Sequence, residues 1–308
     1  MDEFELIRRY FARDGEGSVV IKGIGDDGAV LRPERGRELV TVIDTLVEGT
    51  HFPADTLPAD LGYRAVAVNL SDIAAMGARP LWMTLALSMP GKTGEWIGEF
   101  ARGLFDAADE YDMPLVGGDT TSGESVVVSV QITGDVAAGA AILRSGARPG
   151  DTIYVTGTLG DAAAGLSLMA SGGDNEFLVK RFLRPHARIG VGLELPGLAS
   201  ACIDISDGLV GDLKKLLDAS EVGADLDLDA VPISDAMANA FDVELQRRYA
   251  TTGGDDYELC FTSSKSIPGE LAGVPITAIG VVKGDSGLVC RAGGDIVDID
   301  DSGYRHFQ

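Results

Sequence analysis

Hydrophobic and polar positions in the first half of the chain follow two different spacings. In residues 60–76, apolar side chains such as Leu61, Ala65 and Val68 recur three or four positions apart, which is the spacing of one helix face. Short apolar runs bounded by turn-forming residues are typical of strands. The pattern predicts helices at residues 4–11, 60–76 and 95–111, and strands at residues 19–22, 29–31, 39–44, 81–88, 114–116 and 125–134.

The pattern begins again after the glycine- and proline-containing loop at residues 146–150. The second half is predicted to contain strands at residues 152–156, 201–205 and 257–262, and helices at residues 160–170, 189–199 and 209–219. Strands and helices intermingle without strict alternation, so we predict an α+β fold. The chain of 308 residues is long enough for two domains, which we place at residues 1–138 and 139–308.

The charge of the chain restricts its partners. Its 48 acidic residues outnumber its 25 lysines and arginines, which gives a formal net charge of −23. Such a surface repels nucleic acids and anionic membranes, and it also repels phosphorylated molecules unless metal cations intervene. The excess of acid suits a salt-rich cytoplasm. Because neither a signal peptide nor a long apolar segment is present, we expect a soluble cytoplasmic protein.

The three cysteines carry no predicted chemistry. Cys202, Cys260 and Cys290 are too few and too far apart for a disulfide framework or a zinc site. Each lies in an apolar run, so we expect buried, unreactive thiols.

Two glycine-containing segments imitate nucleotide-binding motifs. Residues 23–28, Gly-Ile-Gly-Asp-Asp-Gly, have the spacing of a dinucleotide fingerprint, but their two carboxylates would repel a pyrophosphate. Residues 86–93 nearly form a P-loop, but Ala86 replaces the first glycine. Neither motif is therefore predicted to function, and ATP would need another means of binding.

Aspartates beside glycines at strand ends recur in both halves of the chain. Such residues follow a predicted strand at 117–119, join a strand to a helix at 204–208, precede a strand at 253–258, and occupy the turn at 23–28. Each has a purely structural alternative: a turn at Asp26 and Asp27, a helix N-cap at Ser206 or Asp207, and a hairpin at residues 253–258. Several aspartates that converge would bind several Mg²⁺ ions, which indicates chemistry on a nucleoside triphosphate.

Asp72 is the most informative single carboxylate. It lies in a nearly apolar segment, residues 65–76, with no lysine or arginine close by. Helical spacing places Asn69 and Asp72 on one side, three residues apart. Burying a carboxylate without a cation is costly, so we predict a metal ligand.

A collinear set of motifs resembles the thiamine-monophosphate kinase family over nearly the whole chain. The motifs are Gly-Ile-Gly-Asp-Asp at 23–27, Asp-Thr-Leu-Val-Glu-Gly-Thr-His-Phe at 44–52, Ala-Val-Asn-Leu-Ser-Asp-Ile-Ala-Ala-Met-Gly at 67–77, Gly-Gly-Asp-Thr-Thr at 117–121, Asp-Ile-Ser-Asp-Gly at 204–208, Gly-Asp-Asp-Tyr-Glu at 254–258 and Gly-Tyr-Arg-His-Phe at 303–307.

The resemblance implies the two-domain α+β fold of the aminoimidazole-ribotide-synthetase superfamily, with N-terminal sheets that pair in a homodimer. Residues 1–138 would bind ATP and Mg²⁺ and form the dimer, and residues 139–308 would complete the substrate site. The implied reaction is phosphorylation of thiamine monophosphate to thiamine diphosphate. The γ-phosphate of ATP would pass in line with the help of several Mg²⁺ ions, and no residue would act as a general base.

The resemblance also implies roles for individual residues. The Mg²⁺ ligands would be Asp27, Asp44, Asp72, Asp119 and Asp204, with Asp207 as a further candidate. The ATP contacts would be Tyr111, Gly118, Asp119, Arg144 and Ser206. Thiamine monophosphate would contact His51, Tyr304, and Asp255 or Glu258.

The sequence departs from the family pattern in two places, at residues 42–43 and at residue 255. Val42 and Ile43 stand where relatives usually have Ser or Thr before Asp44, and Asp255 stands where they usually have Glu.

Aminoimidazole-ribotide synthetases, selenophosphate synthetases and hydrogenase-maturation enzymes are the alternatives within the superfamily. The selenium enzyme would need a reactive cysteine near the N-terminus, and none precedes Cys202. From another class, a non-catalytic cation-binding protein is the alternative, although EF-hand spacing is absent.

Overall fold

The structure is a computed structural model, which describes residues 3–13 and 19–299. Its contacts divide the chain into two compact units. The N-terminal unit comprises Met1–Ile73 and Ala78–Gly139, and the C-terminal unit comprises Ala74–Gly77 and Ala140–Gln308. Among the described residues, no helix is both long enough and apolar enough to cross a membrane.

The N-terminal unit is built on a four-stranded sheet with the order β3-β6-β4-β5. Its strands are β3 (Arg37–Val47), β4 (Arg79–Met89), β5 (Leu115–Ser122) and β6 (Val127–Ala137), and a separate pair is formed by β1 (Val20–Lys22) and β2 (Val30–Leu31). The helices are α1 (Glu3–Leu6), which continues as a π-helical turn at Ile7–Phe11, α2 (Pro58–Ala75) and α3 (Gly94–Asp109). Strand β4 is parallel to β5, and the β3–β6 and β4–β6 pairs are antiparallel.

The two faces of this sheet have different surroundings. On β3, Val40 and Leu46 are buried, whereas Leu39 and Ile43 on the opposite face are 47% and 65% exposed. Side-chain hydrogen bonds link neighbouring strands across the exposed face, from Thr45 to Ser129 and from Thr84 to Gln131. The sheet therefore has one core face and one uncovered face of mixed polarity.

The C-terminal unit contains a larger sheet with the order β14-β13-β9-β12-β7-β10-β8, with β11 added to β12. Its strands are β7 (Thr152–Thr156), β8 (Ala201–Ile205), β9 (Gly223–Asp227), β10 (Glu258–Ser263), β11 (Glu270–Leu271), β12 (Val274–Lys283), β13 (Gly287–Ala292) and β14 (Asp295–Val297). The helices are α4 (Asp161–Ser171), α5 (Glu176–Leu183), α6 (Ile189–Glu194), α7 (Leu209–Ser220), α8 (Asp235–Ala240) and α9 (Val243–Thr252).

Local sequence determines several helix starts. The side chains of Thr93, Asn175, Ser234 and Asp242 accept a backbone N–H at the first turns of α3, α5, α8 and α9. Such caps satisfy donors that have no partner within the helix. The core of the C-terminal unit joins apolar residues of β7 and β8 to one face of α7. All three cysteines are buried and unpaired, as expected.

The predicted α+β class is confirmed, although several boundaries differ. Asp44 lies within β3 because that strand continues to Val47, and β5 continues through Asp119 to Ser122. The helix predicted at residues 189–199 ends at Glu194, shortly before Pro196. The structure adds α5, α8, α9 and the strands β9 and β11–β14, which the hydrophobic pattern does not predict.

Candidate active site

One cavity of the N-terminal unit collects glycines and aspartates from two separate segments. It has a volume of about 660 Å³ and is bounded by the loop between β1 and β2 and by β5. Asp26, Asp27, Gly118, Asp119 and Thr120 line it. The structure thus brings three predicted site residues into one cavity. The loop leads into a strand rather than a helix, so the dinucleotide reading of its glycines is excluded.

Gly118 allows β5 to approach β4 at the wall of this cavity. A Cβ atom at Gly118 would lie 2.0 Å from the carbonyl oxygen of Leu85, whereas a Cβ at Gly117 would meet nothing within 4 Å. Only glycine therefore fits at position 118. The requirement leaves uncovered backbone at the cavity wall, where a ligand can approach closely.

The carboxylates of the cavity are open to ligands. Asp26, Asp27 and Asp119 are exposed, and the backbone N–H of Asp27 donates to Asp26 Oδ1 at 3.0 Å. Within the described part of the chain, the side chains of Asp27 and Asp119 form neither a hydrogen bond nor an ion pair. Carboxylate oxygens of this kind are the ligands that Mg²⁺ prefers.

The turn after β3 orients the predicted substrate contact His51. The backbone N–H of Val47 donates to His51 Nδ1 at 2.9 Å, and the N–H of Val126 donates to Glu48 Oε2 at 2.8 Å. Since Nδ1 accepts a hydrogen bond, the proton of the neutral ring is on Nε2. Asp44 lies earlier on β3, opposite Val130 of β6, and is half-buried.

Asp72 and Asn69 lie one turn apart on α2, as their spacing predicts. Asp72 is only half-buried, so the structure does not place this carboxylate in a fully apolar environment. Asn69 is fully buried, and its Nδ2 donates to the carbonyl of Ala65 at 3.0 Å. Among the described residues, Asn69 Oδ1 has no hydrogen-bond donor. Asn69 Oδ1 is therefore an oxygen atom of the type that a hard cation accepts as a ligand.

Tyr111 lines a different cavity from Gly118 and Asp119. This second cavity has a volume of about 1050 Å³ and also contains Arg32, Arg79 and Asp135. The structure does not bring the predicted ATP contact Tyr111 to the aspartate-lined cavity.

In the C-terminal unit, a buried carboxylate shapes the loop between β8 and α7. Asp212 Oδ2 accepts the backbone N–H groups of Ser206, Asp207 and Gly208 at 3.0, 2.9 and 3.1 Å. Gly208 is the N-cap residue of α7 and makes no side-chain cap, so the alternative of an N-cap at Ser206 or Asp207 is wrong. Because Asp212 uses these N–H groups, the loop is not a phosphate cradle and presents carboxylates instead.

Lys215 neutralises part of the charge of this loop. Its Nζ donates to Asp207 Oδ2 at 2.6 Å and to Asp212 Oδ1 at 2.8 Å. Burial raises the pKa of Asp212, and the hydrogen bond from Lys215 opposes that rise. Asp204, at the end of β8, is buried, and Asp207 is partly exposed. Of the two predicted metal ligands here, Asp207 thus already has a protein cation beside it.

The segment 253–257 links α9 to β10, so its alternative reading as a hairpin is wrong. Asp255 is partly exposed. Glu258 is fully buried, and its carboxylate accepts hydrogen bonds from Thr156, Arg181 and Arg188. Of the two predicted substrate contacts, this geometry favours Asp255.

Two further predicted contacts are Arg144 and Tyr304. Arg144 is exposed, and its carbonyl oxygen accepts the hydroxyl of Ser220 at 3.1 Å. Tyr304 lies outside the described residues.

The sequence analysis does not predict the residues whose side chains hold the loop at 206–208 and the segment at 253–257 in place, namely Asp212, Asp256, Arg181 and Arg188. A carboxylate between the apolar positions of α7 is a recognisable signal for Asp212. No comparable signal exists for Arg181 and Arg188, because their partner Glu258 lies more than 60 residues away in sequence.

Comparison with known proteins identifies the family. Residues 25–136 match the N-terminal domain, and residues 148–267 the C-terminal domain, of AIR synthase related proteins. Thiamine-monophosphate kinase of Escherichia coli K12 is 47% identical over 99% of this chain and 98% of its own length.

Solved structures agree with this result. The crystal structure of thiamine-monophosphate kinase from Stenotrophomonas maltophilia K279a has a TM-score of 0.88 and 42% identity, covering 96% of this chain and 98% of that chain. A complex of AaThiL with AMPPCP and TMP has a TM-score of 0.81 and 33% identity, covering 93% and 92%. This chain therefore belongs to the thiamine-monophosphate kinase family, and both of its domains are AIR synthase related.

Proposed function

We propose that this protein phosphorylates thiamine monophosphate with ATP and releases thiamine diphosphate and ADP. The observation that carries the proposal is the similarity, over 93% of the chain, to a relative solved with both AMPPCP and TMP. The cavity with Asp27, Gly118 and Asp119 supports it, because it offers exposed carboxylates and uncovered backbone to a nucleotide with bound metal.

Mg²⁺ fits the donor atoms of the site. Asp27 and Asp119 provide carboxylate oxygens in one cavity, and Asn69 Oδ1, one turn before Asp72 on α2, has no hydrogen-bond donor among the described residues. Among the described residues, no group of three or more His, Cys, Asp or Glu side chains forms a complete metal site. Protein Mg²⁺ sites in phosphotransferases usually take one or two carboxylates plus phosphate oxygens, so partial sites are what this chemistry uses. The proposed ligands are Asp27, Asp44, Asp72, Asp119, Asp204 and Asp207.

The chemistry requires positioning more than proton transfer. A terminal phosphate oxygen of thiamine monophosphate would attack the γ-phosphorus of ATP while the bond to the β–γ bridging oxygen breaks in line. The second pKa of a phosphate monoester is about 6, so this oxygen is already largely ionised at neutral pH. Bound Mg²⁺ would cancel the repulsion between the two phosphates.

The roles of the protein groups follow from this requirement. His51, held through Nδ1, would bind substrate rather than accept a proton, and Asp255 would contact thiamine monophosphate. Gly118, Asp119, Arg144 and Ser206 would contact ATP.

The reaction is tested with purified protein, ATP, Mg²⁺ and thiamine monophosphate at low and high salt, with thiamine diphosphate followed by chromatography. We expect the diphosphate to form, to be lost with Asp72→Asn, and to persist with the control Asp285→Asn in an exposed turn. ATP consumption without thiamine diphosphate would indicate a sister activity of the superfamily. Neither binding nor turnover at any salt would favour the non-catalytic cation-binding protein.

We further propose that two copies pair through the uncovered face of the N-terminal sheet. An exposed apolar residue amid hydrogen-bonded threonines and serines is what a sheet-to-sheet interface would cover, and Ile43 is 65% exposed there. Sedimentation should show a dimer that Ile43→Asp converts to a monomer. Leu57→Asp, at an equally exposed residue outside the sheet, should leave the dimer intact.

A further inference from the structure

The segment 253–257 has an unfavourable backbone beside the proposed substrate contact. Asp255 has a φ angle of 73° and Tyr257 has a φ angle of 52°, so two residues with side chains adopt the left-handed conformation. This conformation is uncommon for residues other than glycine, and it persists only where the surroundings determine it. Strain of this kind concentrates at functional sites.

Backbone hydrogen bonds tie this segment to the loop that carries Ser206. The N–H of Asp255 donates to the carbonyl of Ser206 at 2.8 Å, and the N–H of Tyr257 donates to the carbonyl of Ile205 at 2.8 Å. The position of Asp255 is thereby fixed relative to a proposed ATP contact.

Asp256, between the two strained residues, anchors the segment on the opposite side. Its side chain is fully buried, with Oδ2 accepting the N–H of Gly160 at 2.6 Å and Oδ1 accepting the N–H of Ala162 at 3.2 Å. Both donors belong to the start of α4, where a carboxylate satisfies N–H groups and interacts favourably with the helix dipole. Arg181 also donates to the carbonyl of Asp256 at 3.3 Å.

Glu258, the first residue of β10, anchors the C-terminal end of the segment through its own buried carboxylate. It accepts hydrogen bonds from Arg181 Nη2 at 2.9 Å and from Arg188 Nε at 2.6 Å. Burying two carboxylates and two arginines carries a large desolvation penalty, and apolar residues of similar size would stabilise the folded chain as well or better. The network therefore indicates a requirement for geometry.

We propose that Asp256 and Glu258 are positioning residues, which hold segment 253–257 in the strained backbone that presents Asp255 to the thiamine phosphate. The inference rests on the proposed function, and in particular on substrate binding by Asp255. Successive side chains divide the tasks, since Asp255 is partly exposed while Asp256 and Glu258 are buried. The hydroxyl of Tyr257 donates to Asp255 Oδ1 at 3.3 Å and restrains this partly exposed carboxylate.

The first test is the steady-state kinetics of Asp256→Asn. The amide keeps the shape of the side chain but cannot accept both N–H groups of α4 through equivalent oxygens. We expect KM for thiamine monophosphate to rise about tenfold, with KM for ATP within about twofold of wild type and kcat within about threefold. An equal rise in KM for both substrates, or no change in either KM, would overturn the proposal.

A double-mutant cycle separates positioning from general damage. Asp255→Asn removes the proposed contact while keeping a residue that tolerates the left-handed conformation. If Asp256 acts through Asp255, the Asp255→Asn/Asp256→Asn double variant should have the same KM for thiamine monophosphate as Asp255→Asn alone. If the rise in KM of the double variant equals the product of the rises in the two single variants, the two residues act independently and the mechanism is contradicted.

Arg188→Lys serves if Asp256→Asn does not fold, because it weakens only the paired hydrogen bonds to Glu258. The same selective rise in KM is expected, and a wild-type KM would count against the network. Asp285→Asn is the matched surface control. Absence of thiamine diphosphate with the wild-type protein would refute the proposed function itself, whereas an active wild type with unselective variants would refute only the positioning role.

Discussion

The carboxylates of the two units differ in how many hydrogen bonds the protein itself supplies to them. In the N-terminal unit, Asp27 and Asp119 are exposed and, within the described residues, their side chains have neither a hydrogen bond nor an ion pair. In the C-terminal unit, Asp212, Asp256 and Glu258 are buried, and every one of them accepts several hydrogen bonds.

This difference separates two uses of the same chemical group. A carboxylate with unused lone pairs can bind a cation, whereas one that accepts backbone N–H groups stabilises the shape of a loop. In the C-terminal unit, Asp212 shapes the loop that carries the proposed metal ligand Asp207, and Asp256 shapes the segment that carries the proposed substrate contact Asp255. Substitutions should therefore affect stability in one group and turnover in the other.

The largest effect on stability is expected from Asp212→Ala. The change leaves the N–H groups of Ser206, Asp207 and Gly208 without their acceptor, and it removes a partner of Lys215. The free energy of unfolding should fall by about 3 kcal/mol, measured by urea denaturation. Asp218→Ala, at an exposed position of the same helix, is the control and should change it by less than about 0.5 kcal/mol. Equal losses would show that the buried carboxylate has no special role.

Asp119→Asn should have the opposite profile. Because the side chain has no partner among the described residues, the midpoint of thermal unfolding should stay within about 2 °C of wild type. Formation of thiamine diphosphate should fall about 100-fold or more, since charge stabilisation at the phosphates is lost. A variant that is active but unstable would reverse the proposed division between the two units.

A smaller effect is expected at the cavity wall. Gly118→Ala places a methyl group against the carbonyl of Leu85, so β4 and β5 must separate. We expect a loss of about 2 kcal/mol in the free energy of unfolding, with reduced turnover. Gly117→Ala is the matched control, because a Cβ there meets nothing within 4 Å, and it should unfold like wild type. If both variants are equally stable, close approach at Gly118 is not a constraint.

The parts of the fold that sequence predicts are those whose local pattern agrees with their surroundings. Strands β7 and β8 lie where the apolar runs at 152–156 and 201–205 predict them. Strand β9, Gly-Ala-Asp-Leu-Asp, is not predicted, because glycine and two aspartates are poor strand formers. It forms between β12 and β13, which supply its hydrogen bonds from distant parts of the chain.

The candidate site also has one part that local sequence predicts and one part that it does not. Asp27, Gly118 and Asp119 follow from local motifs, because each lies beside the glycine that lets a ligand approach. The anchors of segment 253–257 do not. Gly160, Arg181 and Arg188 reach Asp256 or Glu258 from elements 70 or more positions away, and only the folded chain brings them together.

The smallest effect is a pH dependence of stability that one carboxyl should cause. Burial raises the pKa of Asp256 to about 7, against the opposing effects of Arg181 and the N–H groups of Gly160 and Ala162; Asp161 adds to the rise. Because the folded protein then holds a proton that the unfolded chain has released, stability contributed by the protonated group is lost as the pH rises through 7.

Between pH 6 and pH 8, the free energy of unfolding of wild type relative to Asp256→Asn should therefore decrease by about 1 kcal/mol. Urea denaturation of both proteins at each pH measures this difference, and the subtraction removes the contributions of the groups that the two proteins share. A difference that rises with pH would mean that Arg181 and the helix start outweigh burial. Asp256 would then be ionised throughout, and its anchoring of the segment beside Asp255 would be independent of pH.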